Sequence, residues 1–258
     1  MNWFPQIGSG SLVQLPLHRR RRWRAVSNEL EGGDRIATPD AAGGVIEWKL
    51  SYKDLSDTEA ASLNSLFVQS KGGYLPFAFA DPIANLLAWS EDLSHPDWQS
   101  GQLTKSGGAS DPAGTQRAWL ISNGAAGVQA LSQTVNLFGS YVACLSVWMR
   151  SDSNITATLQ RDGLETGVPV GPEWKRAFLS GTGNSGSDTT TVSIAIDPGQ
   201  SLTLWGLQLE AQPYPSQCKQ TTGASRIYPE TYFGSDEITM TSTGVGLSAC
   251  EIQLVSRI

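Results

Sequence analysis

The chain of 258 residues is long enough for one large or two ordinary domains with sizeable cores. Charged residues make up 16% of it, against roughly 25% in ordinary soluble domains, and 27 glycines and nine tryptophans accompany a single convincing helix pattern; this balance excludes disorder and favours an all-β architecture. A formal net charge of −6 excludes nucleic-acid binding driven by a global positive field.

The first 30 residues open with Trp3-Phe4-Pro5 and a short apolar run from Leu12 to Leu17. A basic run follows, Arg19-Arg20-Arg21-Arg22-Trp23-Arg24, which reads as a strand whose arginines line a solvated or inter-subunit face. Carboxylates on a neighbouring copy would suit them, because bidentate guanidinium pairs fix register. Arg19, Arg20, Arg21, Arg22 and Arg24 are therefore candidate assembly-interface residues. A nucleic-acid patch is the alternative for this run, and no sequence-specific contact is expected. Glu31-Gly32-Gly33-Asp34 and Pro39-Asp40-Ala41-Ala42-Gly43-Gly44 carry turn chemistry.

From Val45 to Pro82 the pattern reads strand, helix, strand. Ile46, Trp48, Leu50 and Tyr52 alternate with polar residues, the period-two mark of a half-buried strand. Ser56 and Glu59 form a capping box, and Ala60, Leu63, Leu66 and Phe67 then share one helical stripe. Lys71 and Gly72-Gly73 predict the helix end, and Leu75, Phe77 and Phe79 a second alternating strand. The succession Leu55-Ser56-Asp57-x-Glu59-Ala60, an apolar helix, then Gly72-Gly73-Tyr74-Leu75-Pro76-Phe77-x-Phe79-x-Asp81-Pro82 resembles the N-terminal domain of siphophage distal tail proteins and their gene-transfer-agent relatives. The resemblance covers roughly the first third of the chain. It implies a tail-tube-like β-sandwich with one helix that forms a ring at the end of the tail tube.

After Pro82 short strands dominate. The segment opens Asn85-Leu86-Leu87-Ala88-Trp89-Ser90-Glu91-Asp92-Leu93 and closes Leu204-Trp205-Gly206-Leu207-Gln208-Leu209-Glu210-Ala211. These two ends are similar to the jelly-roll modules, resembling carbohydrate-binding domains, that recur in phage tail and tail-fibre proteins. Cys218 departs from that pattern, where an aromatic or apolar residue is more usual. Tyr141 to Met149 is nearly all apolar, as in a central strand covered on both faces. Ile155, Ala157 and Leu159 alternate with polar residues, as do Val192, Ile194 and Ile196, while Gly181 to Asp188 reads as a loop tip. About seven or eight strands in a two-sheet sandwich are expected.

At the C-terminus Ile238 and Met240 alternate with Glu237, Thr239 and Thr241, and Cys250, Ile252 and Leu254 with Glu251 and Gln253. These strands are too few for a core of their own. The expected organisation is a ring-forming β domain from residues 1–84 and 226–258, interrupted by a jelly-roll, carbohydrate-binding-like module at 85–225.

No catalytic motif emerges. His18 lies beside arginines, and Ser94, His95 and Asp97 crowd one turn, whereas triad members are assembled across a fold. Glu91, Asp92, Glu173 and Glu210 could be paired for glycoside hydrolysis, but nothing selects a pair. Glu91 and Asp92 read as turn-capping residues, and Glu210 as the end of a strand. Cys144, Cys218 and Cys250 are scattered, and with two histidines no zinc spacing exists; neither metal nor cofactor is expected. An odd cysteine count within apolar strands suggests reduced, buried thiols and synthesis in a host cytoplasm. No secretory pattern opens the chain and no long apolar run is present, so neither a signal peptide nor a membrane span is expected. Gly107-Gly108, Gly32-Gly33 and Gly181 to Gly186 lack the strand–turn–helix context of a phosphate loop and read as turns.

A sugar site needs an aromatic platform with nearby polar groups. Trp98, Trp119 and Trp174 are the candidates, with Asp97, Gln99 and Arg117 close in sequence; the competing reading places these tryptophans in the sandwich core or over its edge. Trp89 and Trp205 read as structural parts of the motif ends. The expectation is a non-enzymatic structural protein of a phage tail tip or baseplate, located in the virion. It would form a ring with itself, hexameric by the resemblance, that joins tail tube to hub, with the jelly roll at the periphery and a host surface glycan as a further partner. The alternative is a glycan-binding adhesin or accessory module.

Overall fold

The computed structural model describes residues 1–40, 43–183, 186–223 and 225–258. Two of the expected turns therefore include residues outside the described set, Ala41 and Ala42 in one and Asn184 and Ser185 in the other. The chain is mainly β with one described helix, and it divides into two compact units. The first comprises Met1–Gly8, Leu12–Phe79 and Tyr228–Ile258, and the second comprises Ser9–Ser11 and Ala80–Ile227. In chain order the elements begin with β1 (His18–Arg22), β2 (Ala25–Glu29), β3 (Arg35–Pro39), β4 (Val45–Ser56), α1 (Asp57–Gln69) and β5 (Phe77–Ala80). Nine strands follow: β6 (Leu103–Ala109), β7 (Ala118–Asn123), β8 (Gln129–Val135), β9 (Val142–Arg150), β10 (Ile155–Arg161), β11 (Leu164–Val170), β12 (Lys175–Thr182), β13 (Thr190–Ile196) and β14 (Ser201–Glu210). The chain closes with β15 (Ile227–Phe233), β16 (Met240–Gly244) and β17 (Leu247–Arg257).

In the first unit the sheet runs β1-β4-β17-β15-β5, with β16 added on β17. Alternation in β4 buries Ile46, Trp48, Leu50 and Tyr52 on one face, and β17 answers with Cys250, Ile252 and Leu254. Trp48 meets Phe79 edge-on at 5.2 Å, and its indole N–H donates to Ser256 Oγ at 3.1 Å. The Tyr52 hydroxyl donates to Leu12 O at 2.7 Å, so each large ring keeps a polar partner. Helix α1 begins on the capping box: Ser56 Oγ accepts from Glu59 N–H, and the Glu59 carboxylate accepts from Ser56 N–H at 2.7 Å. Leu63 and Leu66 are buried, and Phe67 packs on Phe233.

Four expectations are corrected here. The helix closes at Ser70, and the left-handed backbone starts at Lys71 (φ 51°) before Gly72 (φ 65°), so the lysine lies outside the last turn. The strand at Phe77 does not alternate: Phe77, Ala78, Phe79 and Ala80 are all buried, because small alanines let both faces be covered. Ile238 lies outside the strands, and β16 is largely exposed from Thr241 onward. Arg24 falls between β1 and β2.

The second unit is a two-sheet jelly-roll sandwich. One sheet runs β11-β10-β13-β8 and the other β12-β9-β14-β7-β6. Leu131, Leu159 and Ile194 of the first face Leu145, Val147, Met149, Leu202 and Leu204 of the second, all buried. Among the described residues its strands number nine, more than expected, and Gly107-Gly108 is not a turn. It is a bulge inside β6, where Gly108 (φ 87°) shifts the register against β7. The β10 alternation also continues one step further than its apolar residues, placing Arg161 inward and 1% exposed. Its guanidinium donates to Tyr141 O and Gly181 O at 3.1 and 2.7 Å.

Both motif ends meet at Asn85. Its amide NH2 donates to Leu207 O and Lys219 O at 2.8 and 2.9 Å, and its carbonyl accepts from Leu87 N–H and Leu209 N–H, each at 3.1 Å. Gln133 does the same for the opening segment, exchanging two bonds with the Ala88 backbone. At the unit's boundaries, Asp81 N–H donates to Arg226 O at 2.9 Å. Replacing Asn85 by Ala strands two buried N–H groups and two carbonyls, so Asn85→Ala is expected to lower stability by about 3 kcal/mol or more, read as a shift of the urea midpoint.

Candidate functional site

The site is built on the outer face of the five-stranded sheet in the second unit. In an antiparallel ladder, directly opposed residues share a face and successive ones alternate. Leu145, Val147 and Met149 point into the core, so Cys144, Ser146, Trp148 and Arg150 of β9 point outward. Across the strands this gives a row Arg176–Trp148–Trp205, a row Phe178–Ser146–Gln208 and a row Ser180–Cys144–Glu210. A further row holds Arg150, Thr203 and Leu120.

The segment after β14 folds back and roofs half of this face. Gln208 accepts from Lys219 N–H at 2.7 Å, and Ser216 N–H and Oγ donate to Glu210 at 2.9 and 2.6 Å. Lys219 Nζ reaches Glu210 at 3.0 Å. Thr221 locks the end of the segment, exchanging bonds with Ser90 and donating to Leu87 O. Under this roof Cys144, Ser146, Gln208 and Glu210 are buried. Beyond it Trp148, Trp205, Arg150 and Arg176 are half-buried, and Phe178 and Leu120 are 48% and 40% exposed. Gly206 marks the border. Its φ of 65° needs a residue without Cβ, and a Cβ there would stand 2.8 Å from Cys218 Sγ and 3.4 Å from Trp148 Cδ1. Cys218 is thus a wall of the open platform beside Trp148.

Polar groups around the platform are incompletely satisfied. Arg176 Nη2 donates to Ser146 Oγ at 3.0 Å, while Arg176 Nε, Arg150 Nε and Trp205 Nε1 are buried with no partner. The Arg150 guanidinium stands over the Trp174 ring at 5.6 Å. Both carboxylate oxygens of Glu91 are also buried and unpaired. Burial raises the Glu91 carboxyl, Asp111 adds to the rise, and Arg117 opposes it. The Cys218 thiol is raised by burial and by Glu91, with Arg176 opposing, so acid and base flank it together. Cys144 is pushed up to about 12 by burial and by Glu210. For Glu210 burial favours the neutral form, yet hydrogen bonds from Ser216, Gln208 and Lys219 prevail and hold it below the ordinary carboxylate value.

The residues singled out in the sequence scatter. Trp98 is 3% exposed with its indole N–H on Trp89 O, so it has no open ring face. Asp97 is exposed at 3.5 Å from His95, which stacks on Trp89 at 4.3 Å. Ser94 Oγ donates to Asp92 rather than to His95. Trp119 is half-buried at the inner face, over Gly107, and donates to Glu91 O at 2.9 Å. Arg117 is exposed and bonded to Thr115 beside the Asp111 turn. Trp174 alone reaches the platform, through Arg150. Trp148 and Trp205 went unrecognised: one lay inside an apolar run, the other inside a motif taken as structural. The signal was the alternation Cys144, Ser146, Trp148, Arg150. The three cysteines are unpaired, Cys144 and Cys250 buried and Cys218 half-buried. The arginines of the first unit sit partly on their own chain. Arg22 pairs with Glu47 at 2.8 Å, Arg24 with Asp40, and Arg19 lies over Trp48, while Arg20 and Arg21 are exposed.

No family model matches the sequence, and no curated protein matches it. Among solved structures, the chain is similar to the C-terminal family 22 carbohydrate-binding module of Clostridium thermocellum Xyn10B, at 14% identity and a TM-score of 0.43, over 54% of this chain and 100% of that one. A family 61 carbohydrate-binding module in complex with β-1,4-galactotriose gives 16% identity and 0.39, over 48% and 97%. The enzymatically active domain of bacteriophage CBA120 tailspike protein 4 gives 12% and 0.40, over 50% of this chain and 22% of that one. At these values the likeness carries neither family nor function across.

The roof makes a pH-dependent contribution to stability. Because the folded Glu210 carboxyl lies below its unfolded value, its stabilisation is present above about pH 4.3 and is lost as pH falls through the lowered folded value. The Tm gap between the native chain and Glu210→Gln is expected to be wide at neutral pH and to close under acid, as followed by calorimetry.

Proposed function

We propose that the second unit is a non-catalytic glycan-binding module, and that its sugar site is the open half of the outer face. The chain would then serve as a host-recognition adhesin or an accessory module. The observation that carries this reading is the row Arg176–Trp148–Trp205. Two half-buried indoles lie directly opposite each other on neighbouring strands, with a guanidinium at their side. Cross-strand Cβ atoms of such a pair stand roughly 4.5–5.5 Å apart, comparable with the length of one sugar ring. Indole faces stack on sugar C–H groups, and the arginine N–H groups supply donors for hydroxyls. The resemblance of the Asn85 and Glu210 ends to phage carbohydrate-binding-like modules supports the same reading. On a glycan array, Trp148→Ala and Trp205→Ala are each expected to reduce binding at least about tenfold. Undiminished binding by both variants overturns the assignment of this face.

A second reading concerns the first unit and rests on its β2–β3 ribbon. Among the described residues the two strands pair only with each other, and β2 is exposed along its length. Register puts Val26 and Ile36 on one face of the ribbon, 60% and 54% exposed. A two-stranded ribbon has no core of its own, and β1 leaves a basic edge unpaired next to β4. We propose that this unit packs against copies of itself, as a ring at a phage tail tip between tube and hub, six-membered by the resemblance and located in the virion. The double variant Val26→Ser, Ile36→Ser is expected to shift the sedimenting species to the monomer, with the Trp48 core still folded.

A further inference from the structure

The platform contains a set of donors that the chain itself leaves empty. Arg150 Nε, Arg176 Nε and Trp205 Nε1 are buried and without partners, although buried donors are nearly always paired. All three belong to one face, since Arg176 opposes Trp148, Trp148 opposes Trp205, and Arg150 opposes Thr203 two residues before Trp205. Among the described residues neither arginine has an ion pair. Of the acids beside the platform, Glu210 is already taken by Lys219 and Ser216, and burial holds the Glu91 carboxyl above the ordinary carboxylate value. Both guanidinium groups are held in place, Arg176 by Ser146 Oγ and Arg150 over the Trp174 ring, which leaves their remaining N–H groups preset. Two fixed and unneutralised guanidinium groups beside two half-buried indole rings match one ligand chemistry: an anionic oxygen group attached to an apolar ring face.

We infer that the platform takes an acidic saccharide, whose carboxylate or sulfate lies between Arg150 and Arg176 while its ring stacks on Trp148 and Trp205. The inference rests on the glycan-binding reading above and narrows its ligand class. Guanidinium recognises planar carboxylate and sulfate through paired charge-assisted bonds, and such bonds are about twice as strong as neutral ones. The net charge of −6 disfavours unspecific adsorption of an acidic saccharide, and the exposed arginines of β1 are the exception for which the Arg150 and Arg176 variants control.

The test is an array of matched pairs that differ only in the acidic group: oligogalacturonates and oligomannuronates beside their carboxyl-reduced forms, and heparin tetrasaccharides before and after desulfation. The expected result is at least about tenfold tighter binding to the acidic member of a pair, weakened by added salt. Preference within the carboxylate pairs or within the sulfate pairs tells which group is read. Arg150→Met and Arg176→Met are expected to abolish that preference, and Arg150→Lys to restore part of it, with unchanged Tm showing that the variants fold. Equal affinity for both members of every pair overturns this inference while leaving the glycan reading intact, as does a preference that survives the double methionine variant. Binding to no saccharide on the array overturns both.

Discussion

The side-chain amide of Asn85 is the interaction on which the jelly roll depends. It uses both donors and both acceptor sites, and its partners come from three separate stretches: the opening turn, strand β14 and the segment after it. No other side chain of that size could do this, since a carboxylate lacks donors and a hydroxyl has only one. By taking Lys219 O, the amide fixes where the returning segment lies, and Gln208 and Glu210 complete the fixation from beneath. The division of the outer face into a roofed half and an open half follows from that. So does the position of Cys218 over Gly206, at the edge of the paired indoles.

Much of the fold was legible because burial on one face leaves a period in the sequence. The alternation through Trp48 gave β4, and the Ser56–Glu59 spacing gave the start of α1, since both are local matters of backbone geometry. The failures were of another kind. Gly72 is left-handed as expected, but Lys71 is left-handed before it and so falls outside the last turn, because the chain closes on the Phe67 and Val68 carbonyls one residue earlier. In β5 the small side chains of Ala78 and Ala80 hide which face they serve. The platform was illegible for a longer-range reason. Whether Trp148 is covered depends on a segment some 70 residues further along, and no window around β9 contains it. Trp98 illustrates the converse: its polar neighbours suggested a surface ring, yet it is 3% exposed with its indole N–H on Trp89 O.

Two arginines on opposite sheets of the sandwich show how placement governs chemistry. Arg161 ends the inward alternation of β10, and burial lowers its pKa while backbone carbonyls of Tyr141 and Gly181 absorb its donors. It closes one end of the core. Arg176 lies on an outward row, has a single side-chain partner in Ser146, and keeps its Nε unused. Each keeps an Nε without a partner, and what separates them is access: Arg161 is 1% exposed inside the sandwich, whereas Arg176 stands half-buried on the outer face.

The hydrogen bond between Asp81 and Arg226 joins the two ends of the jelly roll. A body whose entrance and exit touch imposes almost no spacing on whatever chain carries it. Such a body can be moved between carriers as a cassette, replacing any short surface loop, and the carrier's own strands need not be redesigned. Variation on the outer face of the jelly roll and constancy of what holds the carrier together can then proceed on separate schedules within one gene.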